Sequence, residues 1–265
     1  IDVSKAEKLP GVKAVVTGQE LDALGGEAIK DYPFLAKGKV RYVGEPVAAV
    51  AAKTVEIAEN AVDLIKVEYE QLPVVLDPVE AMQRQAPLIH EDLGSYERLS
   101  FTRPVETSNI CHHVVYQKGD TVKGFEACDR IFEDTFTTPL IQQAAIEAHM
   151  AVARVDMTGL LTVWVPNDGP PRLRKALAEA LEIPMKKVRV IAPPYLGGGF
   201  GGKGGLKVET ICIALAMKTK GQPVKMVFTR EEVFTSTIVR HPSIVRIKTG
   251  VMEDGRLWAR EVKVI

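Results

Sequence analysis

Cysteine is scarce in this sequence. Three residues in 265, Cys111, Cys128 and Cys212, lie far apart and form no C-x-x-C spacing. An odd, sparse set excludes a disulfide framework and favours a reducing compartment, which makes the expected location cytoplasmic. Net charge is also missing, because 34 Lys plus Arg balance 34 Asp plus Glu. No field of one sign therefore draws the chain to nucleic acid or to an anionic membrane surface. No apolar run approaches the roughly 20 residues needed to span a bilayer. The opening Ile1-Asp2-Val3-Ser4-Lys5 has neither an initiator Met nor the charged-then-apolar order of a signal peptide. It reads as mid-domain, and Trp258 to Ile265 alternates like a strand that stops abruptly. The expectation is a piece of a longer subunit, or one half of a split one.

What is present describes a packed protein: 46% of residues are hydrophobic and 26% charged. The length fits one large domain or two smaller ones. Val12–Thr17 is β-branched between Gly11 and Gly18 and predicts a strand, followed by a short helix over Gln19–Leu24. Lys39–Ala52 predicts two strands separated by Gly44 and Pro46, the second apolar on both faces. Ile57, Ala58, Ala61, Leu64 and Ile65 share a helical face behind a Thr54 N-cap, and Val67–Glu70 alternates as a returning strand. Residues 85–110 are polar and aperiodic, which suggests a linker between segments 1–84 and 111–265.

Beyond the linker, strands are expected at His113–Gln117, Arg130–Thr138, Ala148–Val155, Leu160–Val165, Val188–Ile191 and Val224–Phe228, with two more near the end. Helices are expected from a Gly119-Asp120 turn through Phe125, over Pro171–Leu181 and over Leu206–Lys218. The class is α+β.

The densest signal runs from Pro193 to Gly205, where residues 197–205 hold seven glycines in nine positions. Such a run is costly in backbone entropy. It lets backbone approach a ligand closely and present successive N–H groups to an anion ahead of a helix. Gly197–Gly202 satisfies G-x-G-x-x-G, and Gly197–Lys203 satisfies the start of a Walker A loop, but a glycine run satisfies almost any glycine pattern. Gly204 stands where a triphosphate site needs Ser or Thr, and Ala192–Leu196 separates the strand from the glycines. A nucleotide- or phosphate-binding module stays open at this point, as does a tightly turned loop without a ligand.

The string Gly197-Gly198-Gly199-Phe200-Gly201-Gly202-Lys203 resembles the glycine loop of the molybdenum hydroxylases, the family of xanthine dehydrogenases and aldehyde oxidoreductases. Leu9–Gly18, Val40–Val50 and Val67–Pro73 resemble that family's hammerhead domain. Gly119-Asp120, Gln142–Glu147, Thr229–Glu232 and Arg240-His241-Pro242 look like its further landmarks, so the resemblance covers essentially the whole chain. It implies a hammerhead-type α/β domain followed by the start of a mixed α/β molybdopterin-binding domain. It also implies oxidation of an N-heterocycle or aldehyde with oxygen taken from water, at a molybdenum held by molybdopterin. The implied partners are an iron–sulfur subunit carrying 2Fe-2S, an FAD subunit, the remainder of the molybdopterin subunit and a small-molecule substrate.

By the same resemblance, Gly198, Gly199, Phe200 and Gly201 line the cofactor and Gln142, with neighbour Gln143, lies near the molybdenum. Phe200 and Gln142 stand near the metal without ligating it. Read without the family, Phe200 is a hydrophobic plug anchoring the loop. Glu147, among apolar residues, needs an Arg or backbone N–H partner and is expected to act structurally. His112 and His113 have no second ligand pair at usable spacing, and Arg230-Glu231-Glu232 reads as a helix start with exposed charge. The family's general base and substrate-orienting Arg match nothing in this sequence, so no catalytic residue is expected here. Gly204, where animal purine oxidisers carry Glu, argues against purine specificity. A non-catalytic scaffold with the same fold remains a further alternative.

Overall fold

Alternation of small and β-branched residues sets the first strand and its two faces. In the computed structural model, which describes residues 1–265, the strands are β1 Val12–Thr17, β2 Leu24–Gly25, β3 Tyr32–Pro33, β4 Ala48–Ala52, β5 Arg130–Thr138, β6 Met150–Val155, β7 Leu161–Trp164, β8 Val188–Ile191, β9 Val224–Val227, β10 Ser243–Val251 and β11 Leu257–Val264. The helices are α1 Ser4–Lys8, α2 Val55–Asp63, α3 Pro78–Ala81, α4 Thr121–Glu126, α5 Pro170–Ala180, α6 Val208–Lys218 and α7 Arg230–Ser236. No helix is long and apolar enough to cross a membrane. The fold is α+β.

Two compact units result, neither contiguous in sequence. The first gathers Ile1–Leu72, Tyr96–Leu99 and Gln143–Ile238. Within it β1 pairs antiparallel with β4, and a separate sheet runs β8-β7-β6-β9, parallel only between β7 and β8. Successive β1 side chains point to opposite faces. Ala14 and Val16 join the main core, while Val15 joins a small cluster with Ala6 of α1 and Ala61 of α2. Thr54 caps α2 by accepting the Ile57 N–H at 3.3 Å.

Helix α6 explains why residues 1–72 and 143–238 form one unit. Every residue from Val208 to Ala216 is buried. A helix buried all round must be covered on all sides, and α6 packs against β6 and β9 on one hand and β1 and β4 on the other. Lys218 at its C-terminal end donates to the Val15 carbonyl at 2.8 Å and pairs with Glu20.

The second unit comprises Pro73–Ser95, Ser100–Gln142 and Val239–Ile265. Its antiparallel sheet has β10 in the centre, flanked by β5 and β11. Asp120 caps α4 through the Lys123 N–H at 3.1 Å. Residues 85–110 hold few regular elements, but Asn109 ties them locally, donating to the Ala81 and Pro87 carbonyls and accepting from Ile89.

Four expected elements do not form. Gln19–Leu24 is a single turn, because the Glu20 carboxylate accepts the Thr17 N–H and is held by Lys218, and Gly25-Gly26 ends any helix. Residues 39–47 fold as turns around Glu45, whose carboxylate accepts the Arg41 N–H, so only β4 survives of the expected strand pair. Val67–Glu70 and His113–Gln117 have strand-like composition but no neighbouring strand, and a strand needs a partner to persist. The core does carry one simple expectation. Leu177, fully buried on α5, loses about 2–5 kcal/mol of stability on replacement by Ala, read as a lowered urea midpoint.

Candidate functional site

The glycine loop leaves β8 and returns to the protein at α6, both within the first unit. One carboxylate fastens its two ends. Glu147 Oε2 accepts the Gly197 N–H at 3.1 Å and the Lys203 ammonium at 2.5 Å, while the Glu147 N–H donates to the Gly197 carbonyl at 3.1 Å. Burial acts to raise the Glu147 pKa, yet the hydrogen bonds from Lys203 and Gly197 prevail and hold it below the ordinary carboxylate value. The Lys203 side chain is only 2% exposed. Of its expected partners Glu147 finds a backbone N–H, while a lysine rather than an arginine supplies the charge.

Further bonds fix the loop's second half. His149 Nε2 donates to the Gly202 carbonyl at 2.9 Å, an acceptor that settles the tautomer. Asn167 donates to the Lys203 carbonyl at 2.5 Å, Arg172 donates to the Gly204 carbonyl at 3.3 Å, and the Gly202 N–H closes a turn onto Gly199. Inside this frame the backbone takes the left-handed region at Gly198, Phe200 and Gly201, with φ of 96°, 52° and 85°. No hydrogen bond within the protein occupies the N–H groups of Gly198, Gly199, Phe200 or Gly201. At Gly197 a Cβ would stand 2.5 Å from the Glu147 Cβ, so the staple itself requires glycine there.

Phe200 is not a plug. It is 77% exposed, and a left-handed backbone under a bulky residue costs on the order of 1–3 kcal/mol.

Beneath the loop, two buried acceptors have no partner: Gln143 Oε1 and His149 Nδ1. A Cβ on Gly202 would stand 3.3 Å from that Gln143 oxygen. Burial lowers the His149 pKa and keeps the ring neutral. Arg230 is exposed at the start of α7, as expected, and it also donates to the Ala145 and Ile146 carbonyls at 2.8 and 2.7 Å, which sets the segment leading into Glu147. Helix α7 begins as expected, with a Thr229–Glu232 capping box.

Gly198, Gly199, Phe200 and Gly201 are therefore brought together, with Gln143 beside them. Gln142 belongs to the second unit, next to the bridge between Ile141 and Arg240. His112 accepts the Arg103 N–H through Nδ1 at 3.0 Å. Sequence reasoning passed over His149, Asn167 and Lys203 as anchors. The one available signal was a charged or polar residue inside an apolar stretch.

The loop exit carries a second cluster. Lys207 is buried, with its ammonium 3.3 Å from the Tyr32 ring centroid. Burial pushes its pKa down to about 7, against the attraction of Glu45 and Glu209. Glu45 and Glu209 are pushed up, in both cases chiefly by burial.

Chemically, the loop offers a row of unsatisfied N–H donors to an anionic group, with an exposed aromatic ring among them. A triphosphate cradle is not favoured, because Lys203 turns inward to Glu147 rather than outward to a ligand. Residues 103–265 match the model of the molybdopterin cofactor-binding domain, and residues 1–73 match that of the aldehyde oxidase and xanthine dehydrogenase a/b hammerhead domain. The chain belongs to the molybdenum hydroxylase family. It is 39% identical over 98% of its length to a probable xanthine dehydrogenase subunit of Bacillus subtilis, covering 33% of that protein. It is 37% identical over its full length to the nicotinate dehydrogenase large molybdopterin subunit of Eubacterium barkeri, covering 59% of it. Among solved structures, CO dehydrogenase from Oligotropha carboxidovorans superposes with a TM-score of 0.87 at 29% identity, over 99% of this chain and 33% of that one. The chain thus spans a third to some three fifths of these relatives. The open N–H row and the orphaned acceptors of Gln143 and His149 suit a polar, anionic pterin cofactor.

Two expectations follow for the loop. Gly197→Ala forces the Glu147 contact apart and costs about 1–3 kcal/mol by thermal melt, whereas Phe200→Ala, at an exposed position, stays within about 1 kcal/mol of the parent. For Lys207, folded and unfolded values of about 7 and 10.5 mean that the unfolded chain binds the extra proton between them. Stability from this group therefore rises with pH across that window. Urea midpoints of the parent measured against Lys207→Met from pH 7 to 10 show that rise as a growing difference in the parent's favour.

Proposed function

We propose that this chain is part of the molybdenum-binding catalytic subunit of a hydroxylase that oxidises an N-heterocycle of the xanthine type, or an aldehyde. The observation that carries the reading is the row of free N–H groups at residues 198–201, stapled in place within a chain that matches the molybdopterin-binding model. The relatives named for xanthine and nicotinate support the heterocycle class. Gly204 argues against a purine pocket of the animal type. In this reading residues 1–84 carry the hammerhead-type domain, residues 85–110 link, and residues 111–265 begin the molybdopterin-binding domain.

Gly198, Gly199, Phe200 and Gly201 hold the molybdopterin, with Phe200 near the metal but not ligating it. When bound, the cofactor supplies a two-electron oxidation that uses water as the oxygen source. This chain's own contribution is to bind, to orient and to exclude water. The backbone N–H groups fix an anionic group, the Phe200 ring shields the reacting region, and the neutral His149 keeps its Nε2 proton on the Gly202 carbonyl. The proton-abstracting base and the substrate-orienting Arg come from the rest of the subunit, so the chain alone does not turn over. Partner subunits carry 2Fe-2S and FAD, and the complex is cytoplasmic.

The test is metal content by plasma mass spectrometry, on the native complex isolated from source cells through this subunit. Near-stoichiometric molybdenum with iron alongside is the expected result. A clean complex without molybdenum overturns the enzyme reading and favours a scaffold that has lost the metal.

A further inference from the structure

We propose that Glu147 is the positioning residue of the glycine loop: its single carboxylate clasps Gly197 at one end and Lys203 at the other, and so presets the N–H row between them. This rests on the proposed function for what the row binds, but not for the clasp itself.

The physical need is clear from composition. Seven glycines in nine residues give the loop more backbone freedom than any other segment of equal length. Free N–H groups in such a segment point nowhere in particular unless its ends are fixed. A neutral acceptor would satisfy the Gly197 N–H, but it would leave the Lys203 ammonium, 2% exposed, buried without a counter-charge. Only an ionised carboxylate serves both ends. The Glu147 N–H to Gly197 carbonyl bond adds a backbone tie at the same point. Arg230 fixes the Ala145 and Ile146 carbonyls that precede it. His149 and Asn167 hold Gly202 and Lys203 from neighbouring strand and loop positions, so the Glu147 carboxylate is the one side-chain group that touches both ends.

The experiment uses the intact complex carrying Glu147→Ala or Glu147→Gln. Hydrogen exchange is followed at the bonded loop amides of Gly197 and Gly202 and in α6, together with molybdenum content and the metal's electron paramagnetic resonance signal. Glu147→Ala is expected to speed exchange of the loop amides about ten- to a hundredfold. Exchange in α6 stays unchanged, and the resonance signal broadens. Glu147→Gln keeps the side-chain volume and an acceptor, so it gives a smaller rise at the same amides. It also keeps the proposal falsifiable should the alanine variant fail to fold. Loop exchange equal to the parent in Glu147→Gln overturns the proposal, as does a rise that spreads equally through α6. A parent complex without molybdenum defeats the proposed function alone, because the exchange comparison reads the clasp without the metal.

Discussion

The burial of α6 on all sides is the constraint from which most of the first unit follows. Once β6 and β9 cover one side of Val208–Ala216 and β1 and β4 the other, the helix can neither slide nor tilt without opening a core. Its first turn is therefore fixed, and with it the exit of the glycine loop. The same confinement forces Lys207 into the interior, where it meets a tyrosine face and the field of nearby carboxylates. Glu209 lies within the helix's first turn, fully enclosed, and uses its carboxylate to accept the Lys207 N–H at 2.9 Å.

Electrostatics in this unit are local and buried. Lys203 and Lys207 flank the loop exit, yet they reach opposite solutions: one meets an ionised carboxylate directly, the other sits on an aromatic ring and surrenders much of its basicity. The first forms an ion pair where geometry must be held. The second tolerates the loss of a charge where packing dominates.

Much of this was legible in the sequence, with a physical reason for each success and failure. Val188–Ile191 and Arg130–Thr138 were legible because pattern and partner agree: each pairs along its whole length. Val67–Glu70 and His113–Gln117 carry the same pattern without a neighbour, and pattern alone cannot say which strand finds one. The glycines announced the loop, since little else justifies their entropic cost. Its supports were hidden, because Glu147 and Asn167 meet Lys203 across separations of 56 and 36 residues. Phe200 was visible as a residue, but its exposure depends on the left-handed backbone, which composition does not encode.

That backbone makes position 200 a natural experiment in competing selection pressures. A residue with a positive φ and most of its ring in solvent gains little from packing, so glycine there would relax the chain at small loss. Variant pools sorted only for thermal endurance will drift to glycine at this site. Pools sorted for turnover by the assembled enzyme will keep the ring, and the divergence between the two reads out what the aromatic group is for.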